Sequence, residues 1–154
     1  MKVHRLEQEQ ILPAPLAEVW AFFSVPRNLE KIMPTNMPFR TLHGADEPMY
    51  AGQLITNEVM PIRPIWMTWV TEITQVVAES YFIDEQRFGP YQLWHHRHHF
   101  SETAEGQTLM LDTVDYAMPF WPLGEIPHQL FVKKQLADLF AYRRERLEEI
   151  FGQS

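Results

Sequence analysis

The stretch from about Gly124 to Phe151 constrains this chain more than any other part of it. At 100° per residue it gathers Val132, Leu136, Leu139, Phe140, Leu147 and Ile150 on one face, with Lys134, Asp138, Glu145 and Glu148 opposite. The spacing predicts one helix of roughly seven turns, with Glu125 in its first turn and Gly152 just past its end. A single apolar stripe of that length requires a large apolar partner surface, which the rest of the chain must provide.

That surface is legible upstream. From Phe39 to Ala117, short segments rich in Val, Ile, Thr and aromatic residues alternate with turn chemistry at Gly44-Ala45-Asp46, Pro61-Ile62-Arg63-Pro64, Gly89-Pro90 and Glu105-Gly106. The pattern predicts strands at 39–43, 53–60, 65–76, 80–88, 92–101 and 107–117, joined by tight turns into an antiparallel meander. Residues 2–12 read as a further strand, closed by Pro13-Ala14-Pro15. Leu16, Val19, Trp20 and Phe23 then recur at helical spacing after Pro15, and a second short helix is expected from about Arg27 to Met33, stopped by Pro34. The expected architecture is one α+β domain over 1–154: a curved seven-stranded antiparallel sheet wrapped around a long C-terminal helix, with two short helices after strand 1. A sheet curling along a helix leaves a gap, and a cavity of a few hundred cubic ångströms is expected there.

Composition removes several function classes. The 20 acidic and 13 basic residues leave a formal net charge of -7, a poor balance for non-specific binding to nucleic acid or anionic lipid. No nucleic-acid partner is therefore expected. With no cysteine there is neither a disulfide framework nor a thiol nucleophile. No window approaches the ~20 apolar residues of a membrane span, and the charged, alternating run Met1 to Glu7 is unlike a signal peptide. The cytoplasm is the expected location, without membrane insertion. Phosphate-loop, dinucleotide-fold, serine-elbow and iron–sulfur signatures are all missing, so no cofactor is expected.

Several segments together resemble the START-like, or SRPBCC, superfamily, and more narrowly a group of bacterial ligand-binding proteins within it. They are Pro13-Ala14-Pro15-Leu16 with Val19 and Phe22-Phe23-Ser24, Pro26-Arg27-Asn28-Leu29, Asp84-Glu85-Gln86 with Gly89-Pro90-Tyr91, Leu93-Trp94-His95-His96, and Tyr116-Ala117-Met118-Pro119-Phe120 with Pro122-Leu123-Gly124. The resemblance covers essentially the whole chain and implies a helix-grip fold with a ligand cavity. It leaves activity open, because the superfamily includes carriers, cyclases, hydrolase-like enzymes and chaperone regulators.

The least ordinary segment is Leu93-Trp94-His95-His96-Arg97-His98-His99-Phe100. Alternate strand residues share a face, so Trp94, His96, His98 and Phe100 form the more apolar set and are expected inward. Two histidines about 6.6 Å apart along a strand suit a metal, but a catalytic zinc site needs three protein ligands. A hydrogen-bonded pair satisfies the same residues, and no metal is expected. On the next strand Met110, Asp112, Val114 and Tyr116 share one face, and Leu109, Leu111, Thr113 and Asp115 the other. Hydrophobicity barely separates the two; the resemblance favours the Tyr116 set as inward. Asp112 would then lie beside the histidine strand, either as a structural partner or as the carboxylate that raises an imidazole's basicity for acid–base work. Arg143 falls in the middle of the helix's apolar stripe. A buried guanidinium there needs Asp112, Asp84, Glu85 or a ligand anion as partner, and Arg143→Ala is expected to cost several kcal/mol.

The function expected from these residues is binding of a small hydrophobic or aromatic molecule with one acidic or polar end. Trp66, Thr68, Phe82, Trp94, Met110, Leu136 and Phe140 would line the cavity, while Asp84, His96, His98, Asp112 and Arg143 orient the polar end. Two alternatives stand beside it. One is a cyclase- or hydratase-type enzyme using His96 or His98, with Asp112, as general acid and base. The other is a chaperone-regulator-like interaction module whose interior is filled by side chains. A second copy of the chain is a further candidate partner.

Overall fold

The computed structural model describes residues 1–153. Strand β1 (His4–Leu12) is followed by helix α1 (Leu16–Phe23) and a 3-10 segment, Pro26–Ile32. Six further strands follow: β2 (Phe39–His43), β3 (Gln53–Ile62), β4 (Ile65–Val77), β5 (Tyr81–Phe88), β6 (Leu93–Glu102) and β7 (Thr108–Ala117). All seven lie in one antiparallel sheet ordered β1-β7-β6-β5-β4-β3-β2. Only the β1–β7 pairing joins distant parts of the chain; the rest is the expected meander, with strand ends within two residues of the sequence reading.

The second short helix winds as a 3-10 segment rather than an α-helix. Pro26 opens it, Pro34 follows closely, and the tighter spiral suits so short a stretch. The C-terminal helix is also not uniform. It begins as a short α-turn, α2 (Glu125–Pro127), widens into a π-helical turn over His128–Val132, and continues as α3 (Lys133–Phe151). The wide turn accompanies the burial of His128, which is 2% exposed. Its Nε2 is bonded to the Tyr116 hydroxyl at 2.9 Å, and its ring stacks on His4 at 3.7 Å. His4 in turn donates to Glu125, so the helix start is tied to both β1 and β7.

Helix α3 buries Leu136, Leu139, Phe140 and Leu147 against the inner face of the sheet. Full burial of such side chains contributes roughly 1.5–3 kcal/mol each. Ile150, assigned to the same stripe from its phase, is 38% exposed, whereas the next residue, Phe151, packs against Phe22. Two glutamines of β1 fasten the helix backbone: Gln8 donates to the Phe140 carbonyl at 3.1 Å and Gln10 to the Arg144 carbonyl at 3.0 Å. The core is divided. One cluster packs α1 against β5, β6 and Leu147; another packs Leu136, Leu139 and Phe140 against Trp94, Val114 and Tyr116.

Candidate functional site

The sheet and α3 enclose a cavity of about 760 Å³, larger than the expected few hundred and within the usual range for small-molecule sites. Its wall is mostly apolar, with Phe23, Met49, Ile55, Met67, Trp69 and Leu139 among its lining residues. Pro61 and Ile62 of the β3–β4 hairpin and Leu130 and Phe131 of the helix start also line it. Ile62, Leu130 and Phe131 are each more than 60% exposed, which puts them at the mouth.

The polar floor lies on the central strands. Register sets Phe82 opposite His98 and Asp84 opposite His96 across β5–β6, and His98 opposite Asp112 across β6–β7. His98 Nε2 donates to Asp84 Oδ2 at 2.7 Å, and His96 Nε2 to Asp112 Oδ1 at 3.1 Å. The cross contacts are looser. His96 Nδ1 is 3.6 Å from Asp84 Oδ2. His98 Nδ1 is 2.9 Å from Asp112 Oδ1 but off the direction of a hydrogen bond, leaving that nitrogen without an aligned partner. The two imidazole centroids are 3.7 Å apart, and Phe82 stacks on the outer face of His98 at 3.9 Å.

Burial by itself disfavours a protonated His98, but contact with Asp112 and Asp84 outweighs it and pushes the group up to about 9. His96 goes the other way: burial and the charge on His98 hold it below its ordinary value, against the pull of both carboxylates. Burial would raise Asp84 and Asp112, yet the neighbouring histidines keep both below the usual carboxylate range. The two histidines are thus pushed in opposite directions, His98 toward the imidazolium and His96 toward the neutral ring. Donor atoms of Asp84, His96 and His98 lie within 4.8 Å of one another, a spacing that could hold a metal ion. His4, Glu125 and His128 form a similar group at the helix start.

Arg143 reaches the same floor from α3, and its surroundings differ from the expectation. Among the described residues no carboxylate lies within 4.0 Å of its guanidinium, the limit for an ion pair. One terminal nitrogen contacts the Met33 thioether at 3.3 Å, Nε is buried without an acceptor, and the group sits 5.2 Å from the Phe140 ring. The expected partner Glu85 faces the other side of the sheet and bonds His95 at 2.8 Å. Burial pulls the Arg143 pKa down, against the charges of Asp112 and Asp84; the group stays a cation at any ordinary pH.

Nine of the sequence-derived residues line the cavity together: Phe82, Asp84, Trp94, His96, His98, Met110, Asp112, Leu136 and Arg143. Three do not. Trp66 and Thr68 point to the outer face of β4, where Trp66 lies under the Arg40 guanidinium at 4.2 Å. The inward set is Met67, Trp69, Thr71 and Ile73, fixed by pairing with Val59, Asn57, Ile55 and Gln53. Both faces of this strand carry bulky residues, so alternation alone did not set the phase, and a one-residue shift exchanges the faces. Phe140 is buried behind the floor, packed on His96 and Arg143 rather than lining the space. Sequence reasoning missed Trp69, Tyr91, Gln8 and Met33. The buried strand Gln53–Val59 opposite β4 carried the only signal for Trp69.

Residues 12–140 match the family model described as polyketide cyclase / dehydrase and lipid transport. No curated protein matches the chain in sequence. Among solved structures, Ms6760 from Mycobacterium smegmatis is similar at 18% identity and a TM-score of 0.68, over 97% of this chain and 96% of that one. CV1439 from Chromobacterium violaceum is similar at 14% and 0.69, over 97% and 99%. Ginseng major latex-like protein 151 from Panax ginseng is similar at 14% and 0.65, over 97% of each chain. At these identities the likeness is one of fold.

Proposed function

We propose that this chain, which belongs to the polyketide cyclase / dehydrase and lipid transport family within the SRPBCC superfamily, binds a small, largely apolar molecule in the cavity between sheet and helix. One observation carries the reading: a 760 Å³ apolar space ends on a buried guanidinium with unused hydrogen-bond donors. A purely structural arginine is paired, because a buried, unpaired charge is costly. An arginine whose donors face a cavity is suited to hold a ligand atom. The carboxylate–imidazole cluster beside it supports orientation of that same end.

Two measurements test the proposal. Native mass spectrometry of freshly purified protein should reveal a co-purified molecule released on denaturation. Titration with the uncharged dye N-phenyl-1-naphthylamine should saturate at one site and quench Trp69 and Trp94. A protein that carries nothing and fails to saturate with the dye would sink the reading.

A second reading, acid–base catalysis on the bound molecule, is favoured by the adjacent histidines with opposite protonation preferences. Environments that drive neighbouring groups apart are how an acid and a base coexist at one pH. Its test is a substrate-dependent rate that disappears in His96→Gln while dye binding persists. The open cavity weighs against an interior filled by side chains, and hence against the chaperone-regulator alternative.

A further inference from the structure

We propose that His4, Glu125 and His128, where the C-terminal helix begins beside β1, form a site for a divalent transition-metal ion of the zinc class. None of the three lines the cavity, and the proposal stands apart from what the cavity holds.

Helix spacing and strand pairing bring the three together. Glu125-Ile126-Pro127-His128 sets a carboxylate and an imidazole three residues apart, on one face of the helix start. His4 comes from β1, directly opposite Tyr116 of β7. One ligand atom from each of the three lies within 4.8 Å of the others, and His4 Nε2 is 3.0 Å from a Glu125 oxygen.

The observation that points to an ion is at His128, which is 2% exposed. Its Nε2 is bonded to the Tyr116 hydroxyl at 2.9 Å, while Nδ1 is buried with no hydrogen-bond partner among the described residues. Buried polar atoms are ordinarily satisfied. A ring with one nitrogen fixed by an outer hydrogen bond and the other bare is how a ligating histidine is held. With Nε2–H donated to Tyr116, the lone pair is on Nδ1. Two imidazoles and a carboxylate suit zinc rather than magnesium or calcium, and three protein ligands leave a fourth position for water. The two rings stack at 3.7 Å, so they must turn for their lone pairs to converge on one ion. His4 is able to follow, because its side-chain hydrogen bonds among the described residues are all to Glu125, itself a ligand.

The group on the cavity floor is a poorer competitor. His98 Nε2 and His96 Nε2 are already bonded to Asp84 and Asp112, and the buried Arg143 cation acts on the same carboxylates. At the helix start the nearby cation is Lys2, 3.7 Å from Glu125 and 57% exposed, which can withdraw into water. A bound ion ties β1 to the helix start, beside the turn that carries Leu130 and Phe131 to the cavity mouth.

Titration of the chelator-stripped full chain with cobalt(II), followed by zinc, tests the proposal. Cobalt should give the visible absorption of a four-coordinate site, saturating at one equivalent, and zinc should displace it. His4→Gln and Glu125→Gln should each weaken cobalt binding at least about tenfold, and Tyr116→Phe about tenfold, whereas Asp84→Asn should leave it unchanged. No cobalt absorption, or absorption that survives both His4→Gln and Glu125→Gln, would overturn the site. Paramagnetic shifts in the unmutated chain locate the ion even if a variant does not fold: they should fall on the His4 and His128 ring protons. Shifts confined to His96 and His98 would move the ion to the cavity floor and refute the proposal.

Discussion

His96 and His98 sit two residues apart on one strand with their rings in contact, yet their environments push their protonation in opposite directions. The consequence is a stability optimum. His98 holds its proton to about 9 in the folded chain, whereas an unfolded histidine releases it near 6.5. Its contribution is therefore fully present below about pH 6.5 and is lost as pH rises through about 9. His96 is lowered, so the unfolded chain binds its proton first, and stability falls as pH drops below about 6.5. Asp84 and Asp112, lowered in the folded chain, add a further loss below about pH 4. Melting temperature against pH should peak near 6.5, and His98→Gln should flatten the alkaline limb; an alkaline limb unchanged by that substitution would contradict the assignment. Arg143 gives the second residue-scale prediction. With no ion pair to break, Arg143→Met should change the melting temperature by no more than a few degrees, because removing a desolvated cation is offset by losing a charge that attracts Asp84 and Asp112. The same change should weaken ligand binding, a combination typical of residues kept for function. A loss of several kcal/mol, expected when a partner carboxylate was assumed, would show instead that the guanidinium holds the fold together.

At the scale of elements, β4 and the start of the C-terminal helix decide the shape of the cavity. Trp69 lines the cavity and meets Trp94 edge-on at 5.1 Å, while Trp66, three residues earlier, is on the far side of the same strand. Trp69→Ala should weaken dye binding about tenfold or more and destabilise the chain by roughly 3–5 kcal/mol, as for other large-to-small core changes. Trp66→Ala should leave binding alone and cost about 1 kcal/mol or less, the usual worth of an exposed cation–π contact. Equal effects of the two on dye binding would mean that the strand's phase is misread. The π-helical turn at His128–Val132 has a comparable role, since it delivers Leu130 and Phe131 to the mouth. Wide turns of this kind inside helices often mark functional positions.

At the scale of the whole molecule, a cavity of 760 Å³ is surface the fold fails to pack, and voids lose the contacts that a filled core would make. A ligand that binds only the folded chain should therefore stabilise it strongly. At a free concentration one hundred times Kd the gain is about 2.7 kcal/mol, or roughly 5–10 °C in Tm for a domain of this size. Thermal melts with increasing N-phenyl-1-naphthylamine check this, and a Tm that does not move at saturating dye would contradict it. Thr71→Leu, which adds apolar bulk to the wall, should raise Tm without ligand and reduce the ligand-induced shift.

The order and type of the elements were legible because they rest on local periodicity: 3.6 along the last helix, two along the strands, and Gly and Pro at the turns. The inner face of β6 was legible for the same reason, since Trp94 and Phe100 contrast with Arg97 and His99. Where that contrast fails, the sequence is silent. Met110 and Leu111, like Trp66 and Met67, differ too little in hydrophobicity for alternation to choose a face. Only the ladders from Gln53–Ile73 to Val59–Met67 and from His98–Asp112 to Phe100–Met110 settled those phases. The residues of the floor were readable as a set, but not their pairings, which turn on differences of a few tenths of an ångström between side chains on three neighbouring strands. Whether Arg143 is paired, which histidine keeps its proton, and how large a space the sheet leaves along the helix are properties of three-dimensional spacing. Composition and periodicity carry no record of them.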